Sequence, residues 1–289
     1  MTILIAGCGD LGTEVGLRFA RLGYPVVGLR RNASVLPAGI AGQAVDLSTT
    51  KPVIPGDTEL VVIAISAGSP TVDAYRAAYL DGLGNLLDAL DEAHVTPRRV
   101  LLVSSTAVYD VNDGSRVDEQ TPATPKPGTD SIVLDAERML HQRLPAATVL
   151  RLAGIYGPGR ERLIKQVRDG AQLSTQSRHT NRIHRDDAAA AIVHLLLRPE
   201  PPAPLYLGVD SAPVTANEVV TFLAAELGLP APTLEPILKS SEPESREGQR
   251  GGDKLLSNEL LLRTGFTFSY PTYREGYQAL LSGRGTRHP

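Results

Sequence analysis

Short apolar runs alternate with longer stretches of helical periodicity through the first part of the chain. Runs that are apolar at every position are typical of strands buried on both faces, and the intervening stretches are long enough to connect parallel strands. The predicted strands are Thr2–Ala6, Pro25–Leu29, Leu60–Ala64, Arg99–Ser104 and Ala147–Arg151, and the predicted helices are Leu11–Leu22, Thr71–Ala93 and Ser131–Arg143. This alternation predicts an α/β protein with a doubly wound parallel sheet, a Rossmann fold.

The regularity weakens after Arg151 and returns later. Residues 154–160 are rich in glycine and proline, so we expect the chain to leave the sheet there. A predicted helix at Asp186–Leu197 and a predicted strand at Leu205–Leu207 then bring it back. We therefore expect a Rossmann domain and a smaller C-terminal α/β lobe that binds substrate. The domain covers 1–155 with a return at about 183–208, and the lobe comprises 156–182 and 209–289.

Two local signals are visible within the predicted lobe. Thr215 is followed three residues later by Glu218, the capping-box pattern of a helix N-terminus. The polar, glycine-containing run at 240–253 predicts a surface loop.

Composition limits the classes of function. The chain has 289 residues with 42% hydrophobic content, enough for a full core. Its net charge is -3, and its lysines and arginines are spread along the sequence. Neither nucleic acid nor a membrane is an expected partner. Cys8 is the only cysteine, so no disulfide can form within the chain. The apolar run Ile3–Ala6 is too short for a signal peptide or membrane span, and we expect a cytoplasmic protein.

A glycine motif follows the first predicted strand and opens the first predicted helix. It reads Gly7-Cys8-Gly9-Asp10-Leu11-Gly12, which is G-x-G-x-x-G. Gly7 permits a tight turn, Gly9 leaves space for a pyrophosphate, and Gly12 allows the helix to pack closely on the strand. Asp10 and Leu11 complete the helix N-terminus, where unpaired N–H groups attract phosphate. The motif predicts a nicotinamide dinucleotide site.

The end of the second strand bears on the type of cofactor. An acidic residue there accepts the ribose hydroxyls of NAD, whereas arginine accommodates the additional phosphate of NADP. This sequence has Arg30 and Arg31, which favours NADP(H) over NAD(H) unless the pair is simply solvated.

Other cofactor contacts are expected after later strands. Asp46 and Leu47 could close around the adenine edge, although a turn-forming aspartate explains Asp46 equally well. Ser66 and Ala67 are expected to line the cofactor through their backbone.

Several segments occur in a recognisable order along the chain. They are the glycine motif, Leu102–Tyr109, Asp118–Pro122, Leu150–Leu152 with Tyr156–Gly159, and Ile183–Asp187. Together they resemble the extended short-chain dehydrogenase/reductase family, in its NAD-dependent epimerase/dehydratase group. The C-terminal Tyr270–Tyr277 is similar to an atypical branch of that family.

The resemblance implies a catalytic serine, a tyrosine and a lysine. Ser105 matches the serine, but the Y-x-x-x-K positions fall on Thr129 and Val133, which supply neither an acid nor a cation. Tyr79 stands where the family has an asparagine. Hydride transfer still needs a donor for the developing oxyanion, and Tyr79 or Tyr109 could supply it. For both tyrosines, however, the interpretation as a packing residue is the stronger one.

Three further positions have alternative interpretations. Arg160 could meet an anionic substrate in the cleft. His184 with Asp186 and Asp187 could be a metal or acid–base site, but the helix-cap interpretation is stronger, and we predict no metal. Arg151 is expected to be a buried pairing residue.

The sequence therefore supports an NADP(H)-dependent oxidoreductase, or an epimerase/dehydratase-like enzyme, for a small polar or sugar-like carbonyl or hydroxyl substrate. Thr180 stands where family members that grip a nucleotide sugar often have arginine. The alternative is a catalytically silent NADP(H)-binding sensor or interaction protein. Either could be a monomer or a homodimer.

Overall fold

The computed structural model describes residues 1–235 and 252–289. The strands are β1 Thr2–Ala6, β2 Val26–Arg30, β3 Ala41–Ala44, β4 Thr58–Ile63, β5 Arg99–Ser105, β6 Asn112–Val117, β7 Thr148–Leu152, β8 Gly154–Tyr156, β9 Leu173–Ser174, β10 His179–Thr180, β11 Arg182–His184, β12 Leu205–Gly208, β13 Val214–Thr215, β14 Leu234–Glu235 and β15 Asp253–Leu256. The helices are α1 Asp10–Arg21, α2 Val72–Tyr75, α3 Gly82–Glu92, α4 Thr129–Arg143, α5 Arg162–Arg168, α6 Arg185–Leu197, α7 Ala216–Glu226, α8 Glu259–Arg263 and α9 Tyr273–Leu281. A π-helical segment, Arg76–Asp81, joins α2 to α3.

A seven-stranded sheet in the order β12-β7-β5-β4-β1-β2-β3 organises the molecule. Every neighbouring pair in it is parallel. The chain runs outward from β1 to β3 and then returns to place β4 on the other side of β1. Ligands of open parallel sheets bind in the crevice at the carboxyl ends of the strands where the order reverses. The predicted Rossmann fold is confirmed, and the crevice lies beside the glycine motif.

Alternate residues of each central strand face opposite helix layers. Ile3 and Ile5 of β1 belong to a hydrophobic cluster shared with α1 and α6, whereas Leu4 and Ala6 belong to one shared with α3 and α4. All four side chains are fully buried. The sheet is therefore covered on both faces, as its continuous apolar runs require.

A separate hydrophobic cluster joins α5, α7 and α9. Tyr156 and Ile164 are buried in it, on either side of the loop that contains Arg160. This loop is anchored at both of its ends as a result. The predicted cap of α7 is confirmed, since the Thr215 hydroxyl accepts from the Glu218 N–H and the Glu218 carboxylate accepts from the Thr215 N–H.

Some elements were not predicted. β3 is an exposed edge strand, and β6 pairs with β15 from the C-terminal part of the chain. Neither β3 nor β6 has the apolar run that signals a buried strand. Most of the predicted 240–253 loop, residues 240–251, lies outside the described residues. No helix in the described ranges has the length and apolar character needed to cross a membrane.

Candidate functional site

The three motif glycines have different structural requirements. Gly7 has φ +86°, and a Cβ on it would lie 2.5 Å from the Ala64 oxygen. A Cβ on Gly12 would lie 2.5 Å from the Gly7 oxygen, so close packing of α1 against the loop excludes a side chain. A Cβ on Gly9 would meet nothing within 4 Å, and Gly9 is the N-cap of α1. Open space at Gly9 beside the unpaired N–H groups of a helix start is the geometry of a phosphate site.

A cavity of about 660 Å³ lies on one side of this loop. Arg30 and Arg31 from the end of β2 line it, together with Asp46, Leu47 and Ser66. Ala67, between Ser66 and Gly68, does not line it. The structure thus gathers most of the residues that were predicted to hold the adenosine half of a dinucleotide.

A second cavity of about 340 Å³ lies on the other side of the loop. Its lining includes Asp10, Leu11, Tyr79, Ser105 and Arg160. Both cavities share the residues Gly7, Gly9, Ala64, Ile65 and Ser66. The two cavities therefore form one elongated cleft that crosses the start of α1.

Two polar side chains of the first cavity already have hydrogen-bond partners within the protein. Arg30 donates from Nη1 to the Cys8 oxygen at 3.2 Å and to the Pro289 oxygen at 2.9 Å. Asp46 accepts from the Ser48 N–H and hydroxyl, and these hydrogen bonds lower the pKa of its carboxyl. Asp46 is thus turn-forming and cavity-lining at once.

Ser105 and Tyr79 are the hydroxyl groups of interest in the second cavity. Ser105 ends β5, and its Oγ accepts from the Ala107 N–H at 3.1 Å. Tyr79 lies in the π-helical segment, stacked on Tyr75, and burial raises its pKa to about 12. Its phenol is protonated at neutral pH. Thr129 begins α4, and Val133 is buried within that helix.

Tyr109 lies outside both cavities. Its side chain is 1% exposed, its hydroxyl donates to the Asp118 oxygen, and Arg151 donates to that hydroxyl at 2.6 Å. Tyr109 is therefore a packing residue, and its hydroxyl is not placed to give a proton to a ligand in the cleft. Arg151 also pairs with the buried Glu137, which confirms its expected pairing role.

His184 caps α6, because its Nδ1 accepts from the Asp186 N–H at 3.2 Å. Asp187 accepts from the N–H groups of Ser269 and Tyr270, so it anchors the segment that leads to α9. The residue that caps α6 is thus His184 and not the two aspartates, which lie in the first turn of the helix, and Asp187 serves as a tertiary anchor.

The residues on one side of the first cavity were not predicted from the sequence. Ala74, Ala77 and Ala78 line it from the helical segment after β4. Their spacing places three small side chains on one face of a helix. Such a face allows a ligand or another backbone to approach the helix closely. Ser104 was also missed. It lines the second cavity and donates a short hydrogen bond to Glu137.

Known structures share this architecture over the full chain. A protein from Methylobacillus flagellatus described as an NAD-dependent epimerase/dehydratase is 35% identical to this chain, with a TM-score of 0.78, and the match covers 98% of each chain. A conserved protein of unknown function from Silicibacter pomeroyi DSS is 28% identical, with a TM-score of 0.81 and 99% coverage of each. No protein-family model and no curated protein matches the sequence.

More distant structures show the fold alone. The UDP-glucuronic acid 4-epimerase of Bacillus cereus, solved with UDP-glucuronic acid and NAD, is 17% identical with a TM-score of 0.76, and the match covers 96% of this chain and 97% of the epimerase. The family is shown by the 35% identical structure, which matches over 98% of each chain. The chain belongs to the NAD-dependent epimerase/dehydratase group of the extended short-chain dehydrogenase/reductase family.

Proposed function

We propose that this protein is an NADP(H)-dependent oxidoreductase, or an epimerase/dehydratase-like enzyme, for a small polar or sugar-like carbonyl or hydroxyl substrate. The observation that carries the proposal is the continuous cleft. It has Arg30 and Arg31 at one end, the glycine loop in the middle and Ser105 at the other end. The two arginines support NADP(H) because a guanidinium pairs well with a phosphate dianion.

A bound nicotinamide would supply hydride at the Ser105 end of the cleft. Ser105 would donate a hydrogen bond to the substrate oxygen and so stabilise the charge that develops on it. Tyr79 also lines this cavity, and its phenol would deliver a proton. With a pKa of about 12 it can act as an acid in the reducing direction but is a poor base for oxidation. In the reducing direction Tyr79 would thus start in the protonated form that the step needs.

The first experiment is a fluorescence titration of the purified protein with NADPH and NADH. We expect NADPH to bind more tightly, and a Gly9→Val variant to lose at least about tenfold in affinity because the new side chain occupies the pyrophosphate space. This variant should still fold, since a Cβ at Gly9 meets nothing within 4 Å. Gly56→Val is the matched control, because Gly56 has equally open surroundings on the exposed surface away from the cleft.

The second measurement is NADPH oxidation with a panel of small aldehydes, ketones and sugar derivatives. Turnover that is lost in Ser105→Ala supports the enzyme proposal. Binding without turnover by any substrate would instead identify a silent NADP(H)-binding protein. Absence of binding to either nucleotide would refute the proposal as a whole.

A further inference from the structure

Asp10 presents an electrostatic problem in the proposed cofactor site. It is the first residue of α1 and lines the second cavity, where the phosphates of a dinucleotide would approach the helix. Its side chain is only 9% exposed. A bare carboxylate at this point would repel a pyrophosphate.

Three donors neutralise the Asp10 carboxylate. Arg160 donates from Nε to Oδ2 at 2.8 Å, and Arg185 donates from Nη1 to Oδ1 at 2.8 Å. The His288 N–H also donates to Oδ1, at 3.1 Å. Burial alone would raise the pKa of Asp10, but these contacts lower it, so the carboxylate stays ionised. Arg185 also donates from Nε to the Asp186 carboxylate at 2.6 Å, so the two guanidinium groups at the start of α1 face two carboxylates, and Asp10 holds Arg160 in place.

Arg160 is the member of this group that faces the cleft. Its side chain is 38% exposed and lines the second cavity, whereas the Arg185 side chain is 2% exposed and also bonds to the Thr286 oxygen. Within the described ranges, Nε is the only atom of the Arg160 guanidinium with a hydrogen-bond partner. Both terminal nitrogens remain to bind a ligand.

The position of Arg160 is built into the local backbone. Its N–H donates to the Gly157 oxygen at 2.9 Å, which closes a tight turn. Arg287 donates to the Gly159 oxygen at 3.2 Å and so ties the C-terminal segment to the same turn. The guanidinium is thus held from its backbone and from Asp10, and little side-chain freedom would be lost on binding an anion.

We propose that Arg160 binds the pyrophosphate of the dinucleotide, at the phosphate on the nicotinamide side, and that Asp10 positions it for this contact. The inference rests on the proposed function. It assigns Arg160 to the cofactor, where the sequence alone suggested an anionic substrate. The ligand class is any adenine nucleotide that carries a diphosphate, and ADP-ribose is the simplest complete probe.

The test compares ADP-ribose with AMP, which lacks the second phosphate, by competition against NADPH fluorescence. We expect Arg160→Gln to weaken ADP-ribose binding about tenfold or more and to change AMP binding less than about twofold. Arg160→Lys should restore part of the affinity, because it returns the charge without the fork geometry. Arg168→Gln, an exposed arginine of α5, is the matched control and should bind both nucleotides like the parent protein.

Two results would overturn the inference while leaving the proposed function intact. One is parent-like ADP-ribose affinity in Arg160→Gln. The other is a variant whose nucleotide affinities are unchanged and whose KM for a carbonyl substrate alone rises, which would return Arg160 to the substrate. Failure of the parent protein itself to bind ADP-ribose and both cofactors would instead count against the proposed function.

Discussion

At the scale of single residues, Glu137 and Arg151 form a deeply buried ion pair. Their side chains are 6% and 7% exposed, and both Nε and Nη2 of Arg151 donate to the carboxylate. Ser104 donates to the same carboxylate, and Arg151 donates to the Tyr109 hydroxyl. Every charge in this network is compensated, and the network lies directly behind the end of β5.

Removal of one partner should therefore be costly. We expect Glu137→Gln to lower the free energy of unfolding by about 3 kcal/mol or more, because it leaves the Arg151 charge buried and unpaired. Urea unfolding followed by circular dichroism measures this change. Asp135→Asn, which breaks the exposed pair with Arg138 on the same helix, should cost less than about 1 kcal/mol. Equal losses of unfolding free energy in the two variants would show that the buried pair contributes no more to stability than the exposed pair.

At the scale of elements, α9 packs against β8 through a glycine. A Cβ on Gly276 would overlap the Tyr156 hydroxyl, and Tyr156 also stacks on Tyr277 at a centroid distance of 4.7 Å. This contact joins the C-terminal helix to the strand that precedes the Arg160 loop. The absence of a side chain at Gly276 sets how closely the two elements approach.

Two helical glycines should consequently respond in opposite ways to alanine. We expect Gly276→Ala to destabilise the protein by about 1–3 kcal/mol through overpacking. Gly84→Ala in α3 should stabilise it by up to about 1 kcal/mol, because a Cβ there meets nothing within 4 Å and alanine is the better helix former. Thermal unfolding reports both changes. Adding Tyr156→Phe to Gly276→Ala should recover part of the loss, and no recovery would contradict the clash.

At the scale of the whole molecule, stability should depend on pH through Asp210, which follows β12. Its N–H donates to the Arg182 oxygen, and its Oδ2 is buried without a hydrogen-bond partner among the described residues. Burial raises the pKa of Asp210 to about 7, against about 3.9 for an unfolded chain. The folded state thus holds the proton more tightly, and this stabilisation is complete below about pH 4 and is lost as the pH rises through 7.

Asp210→Asn should flatten the pH dependence of stability between about pH 4 and 7, since the amide stays neutral. At pH 8 the variant should be more stable than the parent by on the order of a few kcal/mol. Urea midpoints across this range test the expectation. Asp113→Asn is the control, because Asp113 is exposed and its pKa is lowered by Ser115, which puts its titration below this range. An unchanged slope in Asp210→Asn would contradict the assignment.

Local patterns predicted much of this molecule. The central strands were found because strands buried on both faces are apolar at every position, and α1 and the glycine loop because their requirements lie within neighbouring residues. The capping box of α7 depends on two positions three residues apart, and it too was predicted. The exposed strand β3 was missed because an edge strand needs no continuous apolar run.

The sequence by itself thus determined the central strands of the sheet, the glycine loop and several of the residues that line the cleft. The tertiary structure alone decided that Tyr109 is buried against α4 with its hydroxyl on Arg151, away from the cleft, because its position depends on how the segment after β5 packs on that helix. It also decided that Asp10 holds Arg160 and Arg185, which are 150 and 175 residues away along the chain. Such contacts leave no local pattern, since the partners become neighbours only when the chain folds.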